Sequence, residues 1–159
     1  MPFRLDLLRH GDALPAGSDG DAARALSAIG RRDVARVAEE YVRRGWRPDR
    51  ILASPLRRAQ ETARILLLHL GEGADFGTVA ELDPGYGGTQ LIEALRGEGG
   101  APYVLAIGHQ PLLGQLAQAL TGDRGIAFPP AGAARIEFDG PMEPGAGRLV
   151  EQVLPEALD

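Results

Sequence analysis

The chain has 159 residues, 44% of them hydrophobic and 25% charged, a composition that can bury roughly two-thirds of its unfolded surface without disulfides or metals. It contains no cysteine, which excludes disulfides, thiolate metal sites and a cysteine nucleophile. A net charge of -5 and an aromatic content of 5% speak against nucleic acid as a partner, because phosphate backbones require a basic face and bases require stacking platforms.

The first ten residues, MPFRLDLLRH, place charge inside the first apolar run, unlike a signal peptide. Phe3, Leu5, Leu7 and Leu8 form a strand-like run that stops at Gly11, and a polar loop follows through Asp21. Over residues 25–44, Leu26, Ile29, Val34, Val37, Ala38, Tyr41 and Val42 recur at helical spacing, with Gly45 and Pro48 behind them. Residues 51–53 predict a short strand. Ser54-Pro55 reads as an N-cap with proline in the first turn of a helix reaching Leu70. Further on, the pattern predicts a strand over 76–82, a helix over 90–96, loop glycines at Gly88 and over 97–100, and a buried strand over 103–107. A helix then runs from Pro111 to Leu120, and residues 134–138 and 148–154 predict an antiparallel strand pair at one sheet edge. The longest apolar stretches, near 65–68 and 104–107, are too short to cross a bilayer. The expectation is a single α/β domain over 1–159, cytoplasmic and monomeric, with a mostly parallel central sheet, an antiparallel edge and helices on both faces.

Polar residues gather where those strands end. Arg9-His10 closes the first, Ser54 to Arg58 follow the second, Glu81 and Asp83 follow the third, and Gly108-His109 closes the fourth. Ligands of open α/β sheets bind outside the carboxyl ends of the strands, so these stretches converge on one crevice. All 17 basic residues are arginine, whose planar fork matches phosphate oxygens. Helix N-termini after Ser54 and after Pro111 add backbone donors for an anion. A neutral imidazole can attack phosphorus, and a second, protonated imidazole can stabilise the equatorial oxygens. A bell-shaped pH profile follows from that pairing. Taken alone, each histidine would read as structural, as His69 does within its helix. His10 and His109 together, each closing a buried strand beside a glycine, read as chemistry. No grouping of Asp and Glu suggests a metal, and no glycine pattern suggests a nucleotide cofactor.

Leu8-Arg9-His10-Gly11, the stretch from Ser54 to Ala63 (SPLRRAQETA) and Gly108-His109-Gln110-Pro111-Leu112-Leu113 resemble, in order and spacing, the histidine phosphatase superfamily, also called phosphoglycerate mutase-like. Arg9–Ala13 and the Arg24, Leu26, Ser27, Gly30 pattern are similar to the SixA-type phosphohistidine phosphatases. The resemblance implies a three-layer α/β/α sandwich, a nucleophile at His10 and phosphate held by Arg9, Arg58 and His109, with Arg24 as a further contact. It requires no cofactor. Glu61, standing where the family usually carries glutamine, is expected to be structural. Glu81 or Asp83 would be the general acid for an ester substrate. The opening Pro84-Gly85-Tyr86-Gly87-Gly88 does not reproduce the mutase-type sequence there, which favours phosphohistidine on a partner protein. The alternatives are a small-molecule phosphomonoesterase of the same superfamily, a non-catalytic phosphate-binding module and, last, a mutase.

Overall fold

A strand at the centre of a sheet has to bury both faces, and Phe3–Arg9 (β1) does: Leu5, Asp6, Leu7 and Leu8 are all fully buried. The computed structural model describes residues 2–97 and 100–158, so part of the predicted loop over 97–100 lies outside the described residues. Five further strands follow, Arg50–Ala53 (β2), Asp75–Thr78 (β3), Tyr103–Gly108 (β4), Ala133–Phe138 (β5) and Arg148–Val153 (β6). The helices are Ala28–Arg44 (α1), Arg57–Leu70 (α2), Gly88–Gly97 (α3) and Leu112–Thr121 (α4).

The sheet order is β3-β2-β4-β1-β5-β6. The first four strands of that order run parallel, β5 is antiparallel to β1, and β6 pairs antiparallel to β5 at the edge. Alternation along the strands divides the core between the two faces. Leu5 and Leu7 of β1 and Val104 and Ala106 of β4 pack in one cluster with Leu112, Leu113, Leu116 and Leu120 of α4 and with Leu91 and Leu95 of α3. Leu8, Leu105 and Ile107 point the other way, against Val34, Val37, Ala38 and Tyr41 of α1 and Ala59, Ala63, Leu66 and Leu70 of α2. The predicted three-layer α/β/α arrangement is the one observed. No helix among the described residues is long and apolar enough to cross a membrane.

Several local expectations differ from the structure. α1 starts at Ala28 rather than 25, because Ser27 is its N-cap and accepts from the Gly30 N–H at 3.0 Å. Ser54 is not an N-cap. α2 begins only at Arg57, and the Ser54 hydroxyl, which accepts from the Leu56 N–H at 3.2 Å, is committed to His109 instead. The predicted strand over 76–82 breaks after Thr78. A 3-10 turn over Ala80–Leu82 inserts Leu82, fully buried, into the core, which an extended chain at the sheet edge could not do. α4 starts at Leu112, with Pro111 as its cap residue.

The α1/α2 face holds a buried polar knot. Asp6 of β1 is fully buried and lies opposite Arg135 of β5, which donates to it twice, at 2.9 and 3.0 Å. The same carboxylate accepts from the hydroxyls of Tyr41 (2.7 Å) and Tyr103 (2.5 Å), and the Arg135 guanidinium lies 3.4 Å over the Trp46 ring. Burial, with the Asp6 charge, pushes both phenols far above their ordinary value, so the tyrosines stay neutral donors. Breaking a buried pair leaves an uncompensated charge. Asp6→Ala is therefore expected to lower unfolding free energy by about 3–5 kcal/mol in urea titrations, while Asp6→Ala combined with Arg135→Met should recover a large part of that loss.

Candidate active site

The register of the central strands sets the site. Arg9 of β1 lies opposite Gly108 of β4, and the His10 N–H donates to the Gly108 carbonyl at 3.1 Å. The residues that follow each strand, His10 and His109, therefore face each other with ring centroids 4.9 Å apart. Behind His10 the chain passes very close to α1. A Cβ on Gly11 would meet Val34 Cγ2 at 2.7 Å, and one on Gly30 would meet the Asp12 carbonyl at 2.0 Å. Only glycine at both positions lets α1 sit against this loop. Thr62 of α2, fully buried, closes the other side: it accepts from the Gly11 N–H at 3.1 Å and donates to the Arg58 carbonyl at 2.8 Å.

Arg9, His10, Arg24, Arg58 and His109 line one cavity of about 280 Å³, together with Asp12, Ala13, Pro84, Gln110 and Pro130. His10 Nδ1 lies 2.7 Å from the Gly11 carbonyl, which can only accept, so the ring proton sits on Nδ1. Nε2 then carries the lone pair, and Arg58 Nε donates to it at 3.3 Å. His109 Nε2 lies 2.7 Å from the Ser54 hydroxyl. That hydroxyl accepts from the Leu56 N–H and finds no other acceptor among the described residues, so its own proton goes to Nε2 and the proton of His109 sits on Nδ1. His109 Nδ1 and Arg9 Nε are both buried without a hydrogen-bond partner among the described residues, two unsatisfied donors on residues of the cavity wall.

Electrostatics keep both imidazoles neutral. Burial first, then the positive charges of Arg58, Arg9 and Arg24, push His10 down to about 4 against its hydrogen bond to Gly11. Burial pushes His109 down to about 3, reinforced by His10, Arg58 and Arg9 and opposed by Asp21. The groups of the chain by themselves thus hold His109 toward the neutral form at neutral pH.

Arg58 is buried, whereas Arg57 is exposed and pairs with Glu61 at 2.9 Å. Glu61 also accepts from the Leu26 N–H at 2.8 Å, fastening α2 to the segment before α1. His69 stays outside the site, bonded at 3.0 Å to the Ile65 carbonyl of its own helix. Glu81 and Asp83 are absent from the cavity wall, which Pro84 alone reaches from that segment. Asp83 instead accepts from the Gly85 N–H at 2.9 Å. The carboxylates at hand are two that the residue pattern did not single out. Asp12 lies in the wall and accepts from the Ser27 hydroxyl at 2.7 Å, and Asp21 contacts Arg24 and Arg58, each at 3.3 Å. Asp12 stands two residues after His10 and could have been noticed on that ground. Asp21 lies in a loop without periodicity and carried no signal. No group of three or more His, Cys, Asp or Glu among the described residues is placed to hold a metal ion.

The fold that positions this cavity is shared with known proteins. The family model for the histidine phosphatase superfamily (branch 1) matches residues 5–85. Among solved structures, the protein histidine phosphatase SixA complexed with tungstate is 26% identical, with a TM-score of 0.86 over 96% of this chain and 97% of that one. A protein assigned as the phosphohistidine phosphatase SixA of Agrobacterium tumefaciens superposes at a TM-score of 0.84, 23% identity and 98% and 99% coverage. One assigned as the alpha-ribazole-5'-P phosphatase of Escherichia coli does so at 0.72, 19% identity and 96% and 97% coverage. At those identities the second and third attest the fold alone. No curated protein sequence matches the chain. With a family model that spans just over half of its length and takes in Arg9, His10, Arg24 and Arg58 of the cavity wall, the chain belongs to the histidine phosphatase superfamily and is a hydrolase that acts on phosphoryl groups.

Proposed function

We propose that the protein removes the phosphoryl group from phosphohistidine on a partner protein, through a phosphorylated His10. The observation that carries this reading is the His10 Nε2 lone pair, held by the Gly11 carbonyl on the opposite ring nitrogen and placed in a cavity walled by Arg9, Arg24, Arg58 and His109. In the first step the Nε2–P bond forms as the bond from phosphorus to the substrate's imidazole nitrogen breaks, and that nitrogen takes a proton from solvent. Arg9 and Arg58 with the Nδ1–H of His109 hold the equatorial oxygens, where charge redistributes during transfer. Water then attacks phosphorus, releases inorganic phosphate and returns the electron pair to His10 Nε2.

The substrate class is supported by what surrounds the cavity. An ester leaving group needs a positioned acid, typically worth roughly 10²–10⁴-fold. Glu81 and Asp83 do not line the wall, Asp12 is held by Ser27, and Asp21 is kept ionised, chiefly by its hydrogen bond from Arg24. An imidazole leaves far more readily than an alkoxide and tolerates that lack. The likeness to the protein histidine phosphatase SixA over nearly the whole of both chains agrees with this choice. Turnover of a phosphohistidine protein against a panel of phosphomonoesters tests it. Strong monoester hydrolysis that disappears in Asp12→Asn or Glu81→Gln would move the substrate to small esters.

His10→Ala is expected to abolish turnover without unfolding the protein, and acid-labile, alkali-stable ³²P should be trapped on the wild type and not on the variant. Persistent turnover in His10→Ala would overturn the reading. For Arg58→Ala the expected loss is roughly 10²–10³-fold in kcat, as for removal of one oxyanion donor. A rise in KM alone would reduce Arg58 to a substrate-binding residue. Imidazole ¹⁵N titrations in protein without added anion should give midpoints of about 4 for His10 and about 3 for His109. Below those values each ring takes a proton and His10 loses its lone pair, so the acid limb of the rate profile lies near 4. Saturating phosphate should move both midpoints upward, because a nearby anion favours the imidazolium.

A further inference from the structure

One charged group beside the cavity has no part in the proposed reaction. Asp21, in the 3-10 turn over Asp21–Ala23, holds both arginines that reach the site from outside the two histidine-bearing strands. Its Oδ2 takes Arg58 Nη2 at 3.3 Å and its Oδ1 takes Arg24 Nη1 at 3.3 Å, while its backbone carbonyl accepts from Arg58 Nη1 at 3.0 Å. Of their other donors, Arg58 Nε points to His10 and Arg24 Nε to the Leu14 carbonyl at 2.7 Å. A phosphoryl group entering the cavity therefore meets arginines whose outer faces already carry one carboxylate.

The two partners differ in freedom. The Arg58 side chain is 7% exposed and held at three points, whereas the Asp21 side chain is 60% exposed. The carboxylate can leave for solvent at little cost; the arginine cannot. A site with three arginines around one oxyanion faces a further demand, because inorganic phosphate is a product and must depart in every turnover. A fixed negative charge on the same guanidinium groups weakens that retention, and a mobile one can reoccupy them as the product leaves.

We infer that Asp21 competes with the phosphoryl group for Arg24 and Arg58 and thereby sets how easily the product phosphate is released. The inference rests on the proposed phosphatase reading, with the phosphoryl group bound at Arg58. The experiment measures affinity for inorganic phosphate, by calorimetry and as inhibition of turnover, in wild type, Asp21→Asn, Asp21→Ala and Asp19→Asn. Asp19 is an exposed acid in the same loop, so its variant removes equal net charge away from the arginines. Both Asp21 variants are expected to bind phosphate about twofold to fivefold more tightly, with Asp19→Asn unchanged. Equal or weaker binding in the Asp21 variants would overturn the inference, since a carboxylate that merely orients the arginines loosens phosphate when removed. Tightening of the same size in Asp19→Asn would overturn it too, by reducing the effect to net charge. If wild type bound no phosphate that Arg58→Ala abolishes, the phosphatase reading itself would fail and take the inference with it.

Discussion

The pairing of β1 with β4 carries the site, because Arg9 lies opposite Gly108 and each strand ends one residue before a histidine. Side chains alternate along a strand, so a slip of one residue would turn Leu5 and Leu7 out of one hydrophobic cluster and Leu8 out of the other. The hydrophobic pattern of two buried strands thus specifies a polar geometry at their ends. The 4.9 Å between the two imidazoles follows from a register that packing of leucines enforces.

Around that pair, short contacts replace the freedom that loops normally have. Gly11 and Gly30 admit α1 against the loop after His10, Thr62 bridges that loop to the helix bearing Arg58, and Ala131 adds a third tie. Ala131 takes up a left-handed backbone (φ 62°), uncommon for alanine, and its N–H is shared between the carbonyls of Arg9 and His10. The proposed nucleophile is thus held from α1, α2 and the turn before β5, which suits a group whose lone pair must point in one direction.

Two buried electrostatic arrangements solve opposite problems on the same sheet. Deep in the α1/α2 face, Asp6 neutralises Arg135 and satisfies two tyrosines, leaving a closed network. At the strand ends, arginines surround two neutral imidazoles, and His109 Nδ1 and Arg9 Nε have no partners among the described residues. The first arrangement is complete within the protein. The second has donors to spare, and a tetrahedral oxyanion is the ligand that would satisfy them. Among the described residues, Asp21 is the carboxylate paired with Arg24 and Arg58, which is why its charge bears on how firmly such an anion is held.

The strand and helix succession was readable in the sequence because buried strands such as Tyr103–Gly108 are short continuous apolar runs and amphipathic helices such as Arg57–Leu70 repeat apolar residues at helical spacing. The candidate residues Arg9, His10, Arg58 and His109 were readable because they stand at the ends of those elements, and strand ends of one parallel sheet meet on one side. Elements without periodicity were not. The turn at Ala80–Leu82 passed for strand because one buried leucine looks alike in either, and Ser54 passed for a cap because its hydroxyl gives no hint of which partner it will find. What the sequence by itself determined is the order of elements, the layer architecture and the residues available for phosphoryl chemistry. Which nitrogen of each histidine carries the proton, that burial among arginines pushes both rings toward the neutral form, and that Asp12 lines the cavity and Asp21 sits on two of its arginines while Glu81 and Asp83 stand off its wall, were decided by tertiary structure alone. These properties depend on distances between atoms tens of residues apart in the chain, and local sequence contains no measure of those distances.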